Sequence, residues 1–456
     1  MNNQRAFNVQ QFLDCLPFSA YQWLVFALCF CVVLLDGFDT AAIGYIAPRL
    51  MAEWGQGKGQ LAVVLSAALV GLTFGSMAAG PIADRFGRKR PLVAAVLLFA
   101  IASLFAAGAG SMAQLTLFRF ITGIGLGAAM PNAITLVNEY SPSARRATLT
   151  NGMFCGFPLG AALGGFIAAW MMPHWGWRSV LLAGGVAPLL LGVVLLLALP
   201  ESVRFMVARG WPAMRIRRVL SLIGPVGNAQ FFCLTESRPA GADLGGARAV
   251  LSRQYAFGTA MLWIAYFMGL VIFYALVNWM PVLFHEAGLS SKDATMVAAL
   301  FPLGGVGAVA LGWLMDRYSP DKAVAVGFAL TAGAIFMIGQ VGADLTALVV
   351  VVLVAGTLMS TSQASLPSLA AQYYPTSARA SGVAWMLAAG RLGGITGSFL
   401  VAQLAALQLG FSMILAVLAI PGLIASAALF AKQRSSTRST QWAAEPPNQS
   451  FQNRAG

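Results

Sequence analysis

The sequence predicts an all-α membrane protein of twelve transmembrane helices in two pseudo-symmetric six-helix bundles. Three observations lead there: a composition too apolar for a water-covered core, twelve apolar stretches of spanning length, and a set of motifs that recurs after 232 to 234 residues.

Hydrophobic residues make up 59% of the 456 positions and charged residues 9%, whereas a soluble domain carries about 25% charged residues. So few charges cannot coat so apolar a core, and lipid must cover much of the surface. A spanning helix needs about 20 mostly apolar residues. Candidates lie at 21–48, 61–80, 91–110, 114–137, 149–171, 178–199, 255–284, 293–315, 323–342, 345–369, 380–404 and 408–431. A membrane barrel would show short alternating segments instead. The polar stretch up to about Ser19 lacks a small-residue cleavage site, and the first apolar run is too long for a signal sequence, so it reads as a mature span. Cys15, Cys29, Cys31, Cys155 and Cys233 lack metal-ligand spacing and read as small apolar residues.

The net charge of +13 does not point to nucleic acid, because its distribution follows the spans. With the N-terminus placed inside, the inner segments hold 22 of the 28 Lys and Arg. The outer segments hold four, Arg49, Lys58, Arg178 and Lys292, and two lie within spans, Arg119 and Arg391. This inside bias puts both termini in the cytoplasm. The expected organisation is a first bundle at 1–200, a polar cytoplasmic linker at 201–254, a second bundle at 255–431 and a disordered tail at 432–456.

The duplication is legible in the residues. Gly80, Asp84 and Arg85 after the second span match Gly312, Asp316 and Arg317 after the eighth, 232 positions on. Pro48 matches Pro281 at 233. Tyr140 and Pro142 match Tyr373 and Pro375 at 233, and Arg145 matches Arg379 at 234. Parallel repeats of this kind are a transporter architecture, with the substrate site near the midplane between the halves. No segment is large enough for a soluble catalytic domain or a sensor's output domain.

Three stretches carry a family resemblance. GPIADRFGRKR at 80–90 resembles the loop signature of the major facilitator superfamily. DGFDTAAIGYIAP at 36–48 resembles the first-helix signature of the aromatic acid:H⁺ symporter family, and LPESVRF at 199–205 also fits it. MLWIAYFMGLVIFYALVNWMP at 261–281 and GVAWMLAAGRLGGI at 382–395 are similar to its 4-hydroxybenzoate and protocatechuate branch. The resemblance implies a major facilitator fold in the bacterial inner membrane, a monomer, and no cofactor beyond the proton as coupling ion. It implies proton-coupled import of a small aromatic carboxylate: a hydroxybenzoate, or related benzoate, vanillate, gallate or gentisate. It also implies that Asp84, Arg85 and Arg88 hold the cytoplasmic side closed in one network with Glu139 and Arg145. Asp316 and Arg379 are the second-half counterparts. The second copy, GWLMDRYSPDK, lacks the second glycine and the basic pair, so a fully symmetric gate is not implied. The alternative for the cluster is a purely topogenic role. An exporter of drugs or metabolites with the same fold is the competing function, since GFPLGAALGG at 156–165 faintly resembles an antiporter signature.

Charges inside the membrane are costly and face the bundle interior. Asp36, Asp39, Arg119 and Arg391 have no charged counterpart in the other half, at Gly269, Ile272, Val352 and Phe157 respectively. Paired charges therefore belong to the shared scaffold and unpaired ones to this protein's own chemistry. At 1.5 Å per residue, Asp36 lies roughly 22 Å from the inner face and Arg119 about 8 Å from the outer. In a core about 30 Å thick these depths coincide, so the geometry allows an aspartate–arginine contact in the outer half. Asp36 and Asp39 share a helix face and read as proton-coupling residues with Arg119. The alternatives are a carboxylate capping a helix break at Gly37, or a permanent ion pair. Arg391, about 17 Å deep, reads as the anchor for a substrate carboxylate, with Arg119 as the next candidate; the alternative is an arginine held by backbone carbonyls or water. Tyr266, Tyr274, Asn278, Gln363 and Trp385 are candidates to line a ring pocket. The Gly123, Gly125, Gly127 run follows no strand and reads as helix packing rather than a nucleotide loop. His174 and His285 read as outer-surface residues without a ligand cluster.

Overall fold

A computed structural model describes residues 7–226, 231–233, 250–307, 320–342, 344–374 and 376–444. In the first half the long helices are α1 (Ala20–Trp54), α2 (Lys58–Phe86), α3 (Lys89–Ala107), α4 (Met112–Tyr140), α5 (Gly156–Trp175) and α6 (Arg178–Ala198). In the second they are α7 (Ala256–Glu286), α8 (Ser291–Leu303), α9 (Pro320–Val341), α10 (Leu345–Tyr373), α11 (Thr376–Ala406) and α12 (Phe411–Ala444). Among the described residues, eleven helices are long and apolar enough to cross a membrane. The eighth expected span is seen as the 13 residues of α8 and a 3₁₀ turn, Gly304–Gly307. Its remainder, 308–315, lies outside the described residues.

Local chemistry sets the ends. A capping box opens α1: the Ser19 amide donates to Gln22 Oε1 at 2.8 Å, and the Gln22 amide to Ser19 Oγ at 3.3 Å. Gly55, at φ 61°, closes it in the left-handed conformation. The fifth span is interrupted at Cys155 between Arg146–Phe154 and α5. Pro158 has no amide hydrogen to offer the Phe154 carbonyl, and the ladder breaks there.

The packing pairs repeat in steps of six. In the first half α1 packs on α5, α2 on α4 and α3 on α6; in the second, α7 packs on α11, α8 on α10 and α9 on α12. The halves meet through α1–α7, α2–α11 and α5–α8. α2 and α4 approach closely from both sides. A Cβ on Gly71 or Gly75 would overlap the carbonyls of Phe120 and Ile124, and one on Gly123 or Gly127 those of Ala68 and Leu72. With Gly125 set against Ala95 and Phe99 of α3, the glycine run is a packing surface toward two helices.

Along α1 every residue from Asp36 to Pro48 is buried, and along α7 every residue from Ala275 to Phe284. The other ends of both helices alternate between buried and exposed. The seam is thus sealed at one end, where Lys58 Nζ lies 2.7 Å from Glu286 Oε1 across the halves.

Two segments differ from expectation. The expected loop 201–254 contains helices Val203–Ala208 and Ala213–Leu220, whose Val203, Met206, Ile216 and Leu220 pack on the first half. The N-terminal helix Val9–Cys15 joins the same cluster, and Phe7–Asn8 pairs in parallel with Phe232–Cys233, a two-residue exception to the all-α expectation. The tail, expected from 432, continues α12 to Ala444. Lys432 is buried there, its ammonium 2.6 Å from Asp321 Oδ1 and 4.8 Å from the Tyr373 ring centre. A polar sequence need not break a helix once it leaves the bilayer.

Candidate functional site

The first group forms around α1. The helix is continuous through Gly37, so no break exists there for a carboxylate to cap. Gly37 instead lets α5 approach, since a Cβ would overlap the Phe157 carbonyl. Asp39 and Arg119 are both 1% exposed or less. Arg119 Nη1 donates to Asp39 Oδ1 at 3.0 Å and Oδ2 at 2.9 Å, while Nη2 donates to the Asp39 carbonyl at 3.1 Å. Ser103 of α3 donates to Asp39 Oδ1 at 2.9 Å. This network holds α1, α3 and α4 together; the aspartate it uses is Asp39, one turn beyond the Asp36 whose depth coincided with that of Arg119. Arg119 Nε is buried without a hydrogen-bond partner.

Asp36, one turn away and also buried, is held differently. Thr40 Oγ1 donates to its Oδ1 at 3.3 Å. Among the described residues no cation lies within ion-pair distance of it. Thr40, Leu69, Leu72, Arg119, Tyr274 and Asn278, drawn from both halves, line a cavity of about 10 Å³, room for about one water molecule.

Arg391 reaches across the seam from α11 to α2. Its Nη1 donates to Ser76 Oγ, and to the Leu72 carbonyl at 3.5 Å. Its electrostatic neighbours are Tyr274, Tyr266 and Asp36. The flanking glycines admit those rings: a Cβ on Gly390 would overlap Tyr266, and one on Gly394 would come within 2.6 Å of Tyr274. Arg391 thus combines a full charge, neutral partners and a place between the halves.

The other candidates separate. Asn278 Nδ2 donates to Ser398 Oγ and Trp279 Nε1 to the Ser398 carbonyl, both at 3.0 Å, so Asn278 ties α7 to α11 as well as lining the cavity. Gln363 Nε2 donates to the Tyr266 carbonyl at 3.4 Å, and its Oε1 is buried without a partner. Trp385 stands apart, its ring 6.2 Å from Trp263.

At the end of the bundle away from Lys58, Arg88 lies 3.2 Å from Asp84 and 3.4 Å from Glu139. Arg85 is exposed and lies over the Phe86 ring, and Arg145 is exposed in the turn Ser143–Arg145; neither joins this network among the described contacts. Asp316 and the side chain of Arg379 lie outside the described residues. His174 and His285 each contact a backbone carbonyl, and no metal-binding cluster occurs among the described residues.

Sequence reasoning missed three partners. Glu201 Oε1 accepts from the amides of Arg88 at 2.7 Å and Lys89 at 3.2 Å, capping α3, and its carbonyl accepts from Tyr140 at 2.6 Å. Its signal was the LPESVRF motif itself. Ser103 and Ser76, lone hydroxyls in apolar helices, gave none. GFPLGAALGG is used for contact: Gly156 and Gly160 admit the backbone of α1, and Gly165 meets Ala299 of α8.

Two repeated helical halves, with buried charges at and beside their seam, define a membrane carrier of the two-repeat class. The family model described as Major Facilitator Superfamily matches residues 29–397 and, in a second match, 295–455. The chain is 46% identical over 431 residues to "4-hydroxybenzoate transporter PcaK" of Pseudomonas putida, covering 94% of this chain and 96% of that one. It is 43% identical to "Gallate transporter" of Pseudomonas putida, covering 95% and 96%. A solved D-xylose-proton symporter superposes with a TM-score of 0.67 at 19% identity, over 90% of this chain and 97% of that one, which shows the shared fold. The chain belongs to the major facilitator superfamily and, within it, to the aromatic acid:H⁺ symporter family.

Proposed function

We propose that this chain imports a small aromatic carboxylate, a hydroxybenzoate such as 4-hydroxybenzoate or protocatechuate, together with protons. It does so as a twelve-span monomer of the bacterial inner membrane with both termini in the cytoplasm. The observation that carries the reading is Arg391: a guanidinium on the seam, bonded to neutral groups and within electrostatic reach of Asp36. The names of the similar transporters support the substrate class.

A substrate carboxylate and an ionised Asp36 compete for Arg391 and repel each other. Protonating Asp36 removes that repulsion, so proton and acid load together. Guanidinium is the fitting group, since it binds carboxylate through two parallel hydrogen bonds. Asp39, one turn from Asp36, and its partner Arg119 belong to the same proton-coupling group, and their contact is made and broken as the halves rock. Tyr274, Asn278, Gln363 and Trp385 contact the ring or its hydroxyls as the seam opens. With the inside bias setting orientation, the end sealed by Lys58 and Glu286 is the outer one, and the seam opens inward. In the opposite state Asp84, Arg85, Arg88, Glu139 and Arg145, with Asp316 and Arg379, close the inner end.

The test is uptake in proteoliposomes. An inward proton gradient should accelerate accumulation of labelled 4-hydroxybenzoate, and a protonophore should abolish it. Accumulation that ignores the protonophore would sink the coupling.

A further inference from the structure

The four cations at the sealed end divide by their partners. Lys58 lies 2.7 Å from Glu286, and Arg178 lies 2.7 Å from Glu53. Arg49 and Lys292 have no carboxylate within ion-pair distance among the described residues, and these two line one and the same cavity. Arg49 comes from the last turns of α1 and Lys292 from the first turn of α8, so the cavity straddles the seam. Met172 and Pro173 of α5 form its apolar wall, and Ser290 and Ser291 its polar edge. The neighbouring acid, Asp293, accepts the Ser290 hydroxyl at 2.7 Å. Glu286 is held by Lys58.

Size and chemistry agree on an occupant. The cavity is about 130 Å³, close to the roughly 150 Å³ that admits a benzene molecule. An apolar wall beside two unpaired cations suits a single ring bearing a negative group. Unpaired charge in a cleft with low-dielectric walls also concentrates its counter-ion. We propose that this cavity is a second binding site for a small aromatic carboxylate, an entry vestibule at the sealed end of the seam, separate from Arg391. The proposal rests on the aromatic-acid reading for its ligand class, and it adds where the acid waits before the seam opens.

The probe is 4-fluorobenzoate, followed by fluorine NMR on the full-length protein in detergent. Arg391→Ala protein isolates the outer cavity from the central anchor. It should keep a weak, salt-sensitive binding of the probe. Adding Arg49→Gln and Lys292→Gln should weaken that binding by about tenfold, the lower end of what field focusing delivers. Arg49→Lys with Lys292→Arg in the same background should restore it, which separates lost charge from misfolding. Binding in Arg391→Ala protein that is unchanged by the two glutamines, or no binding there at all, overturns the vestibule. Failure of the aromatic-acid reading shows elsewhere, as native proteoliposomes that accumulate no hydroxybenzoate, and the binding measurement requires no transport.

Discussion

The two halves share one packing plan and differ in what they bury. Where the first half holds Asp39 bonded to Arg119, the second holds Ile272 and Val352, each 0% exposed. Where the first half has Asp36, the second has Gly269, whose missing side chain makes room for Gln363. The same helix pairs form in both. An apolar pair therefore suffices to seat the first helix against the fourth, and the charged pair is not required by the fold. A buried ion pair is often no more stabilising than well-packed apolar residues of similar volume. Its retention in one half alone marks function.

The largest expected effect tests that contrast directly. Asp39→Ala should destabilise the protein by about 3–5 kcal/mol, because Arg119 is left buried without a counter-charge. The double variant Asp39→Ile with Arg119→Val, copying the second half, should regain most of the loss in thermal unfolding yet fail to accumulate substrate. A double variant as unstable as the single one would break the comparison. Next comes Arg391, the charge that the second half alone carries. Arg391→Ala should abolish thermal stabilisation by 4-hydroxybenzoate, a loss of about 2–5 kcal/mol in binding. Arg391→Lys should lose less, keeping the charge without the planar fork. Equal stabilisation of native and Arg391→Ala protein would move the anchor to Arg119.

Asp36→Asn should end proton-driven accumulation but preserve counterflow exchange, since Asn stands for the protonated state and exchange need not cycle the proton. Normal accumulation by this variant would return Asp36 to a structural role. The smallest effect concerns the N-terminal helix, which the described second half lacks. Burial pushes the Asp14 carboxyl up, but the Ser143 amide and hydroxyl and Gln10 outweigh it and hold the group below its usual range. A lowered carboxylate stabilises docking above the unfolded value and loses that contribution as pH falls through the folded one. Asp14→Asn should therefore speed amide exchange in Val9–Cys15 a few-fold at pH 7, with uptake unaffected.

The spans, and a meeting of Arg119 with one of the two aspartates of the first helix, were legible because hydropathy and rise per residue fix depth, and depth limits which charges can meet. Asp36 and Asp39 were not separable in the sequence; both lie on one helix face, and only their neighbours on α3 and α4 distinguish them. Arg391 was visible as a costly charge, but its partner Ser76 was not, because a serine between apolar residues carries no mark of what lies across the seam. Glu201 stood inside a recognised motif, yet its work as a cap depends on Gly87, whose φ of 94° turns the chain toward it. The helix beyond residue 431 was missed because a polar composition reads as tail, while a helix already nucleated in the bilayer continues into water at little cost.

Gly44 and Val277 occupy equivalent positions, 233 apart, and they touch: a Cβ on Gly44 would lie 2.7 Å from the Val277 carbonyl. The approximate two-fold axis therefore passes beside this point. In a dimer of one six-helix unit, a residue on the axis faces its own copy and both sides change together. Glycine on both sides would leave the joint loose, and valine on both would force the backbones apart. Joining the units in one chain frees the two sides to differ, and a glycine on one side can then admit the other side's carbonyl. A carrier made of two identical subunits could not build that asymmetric fulcrum.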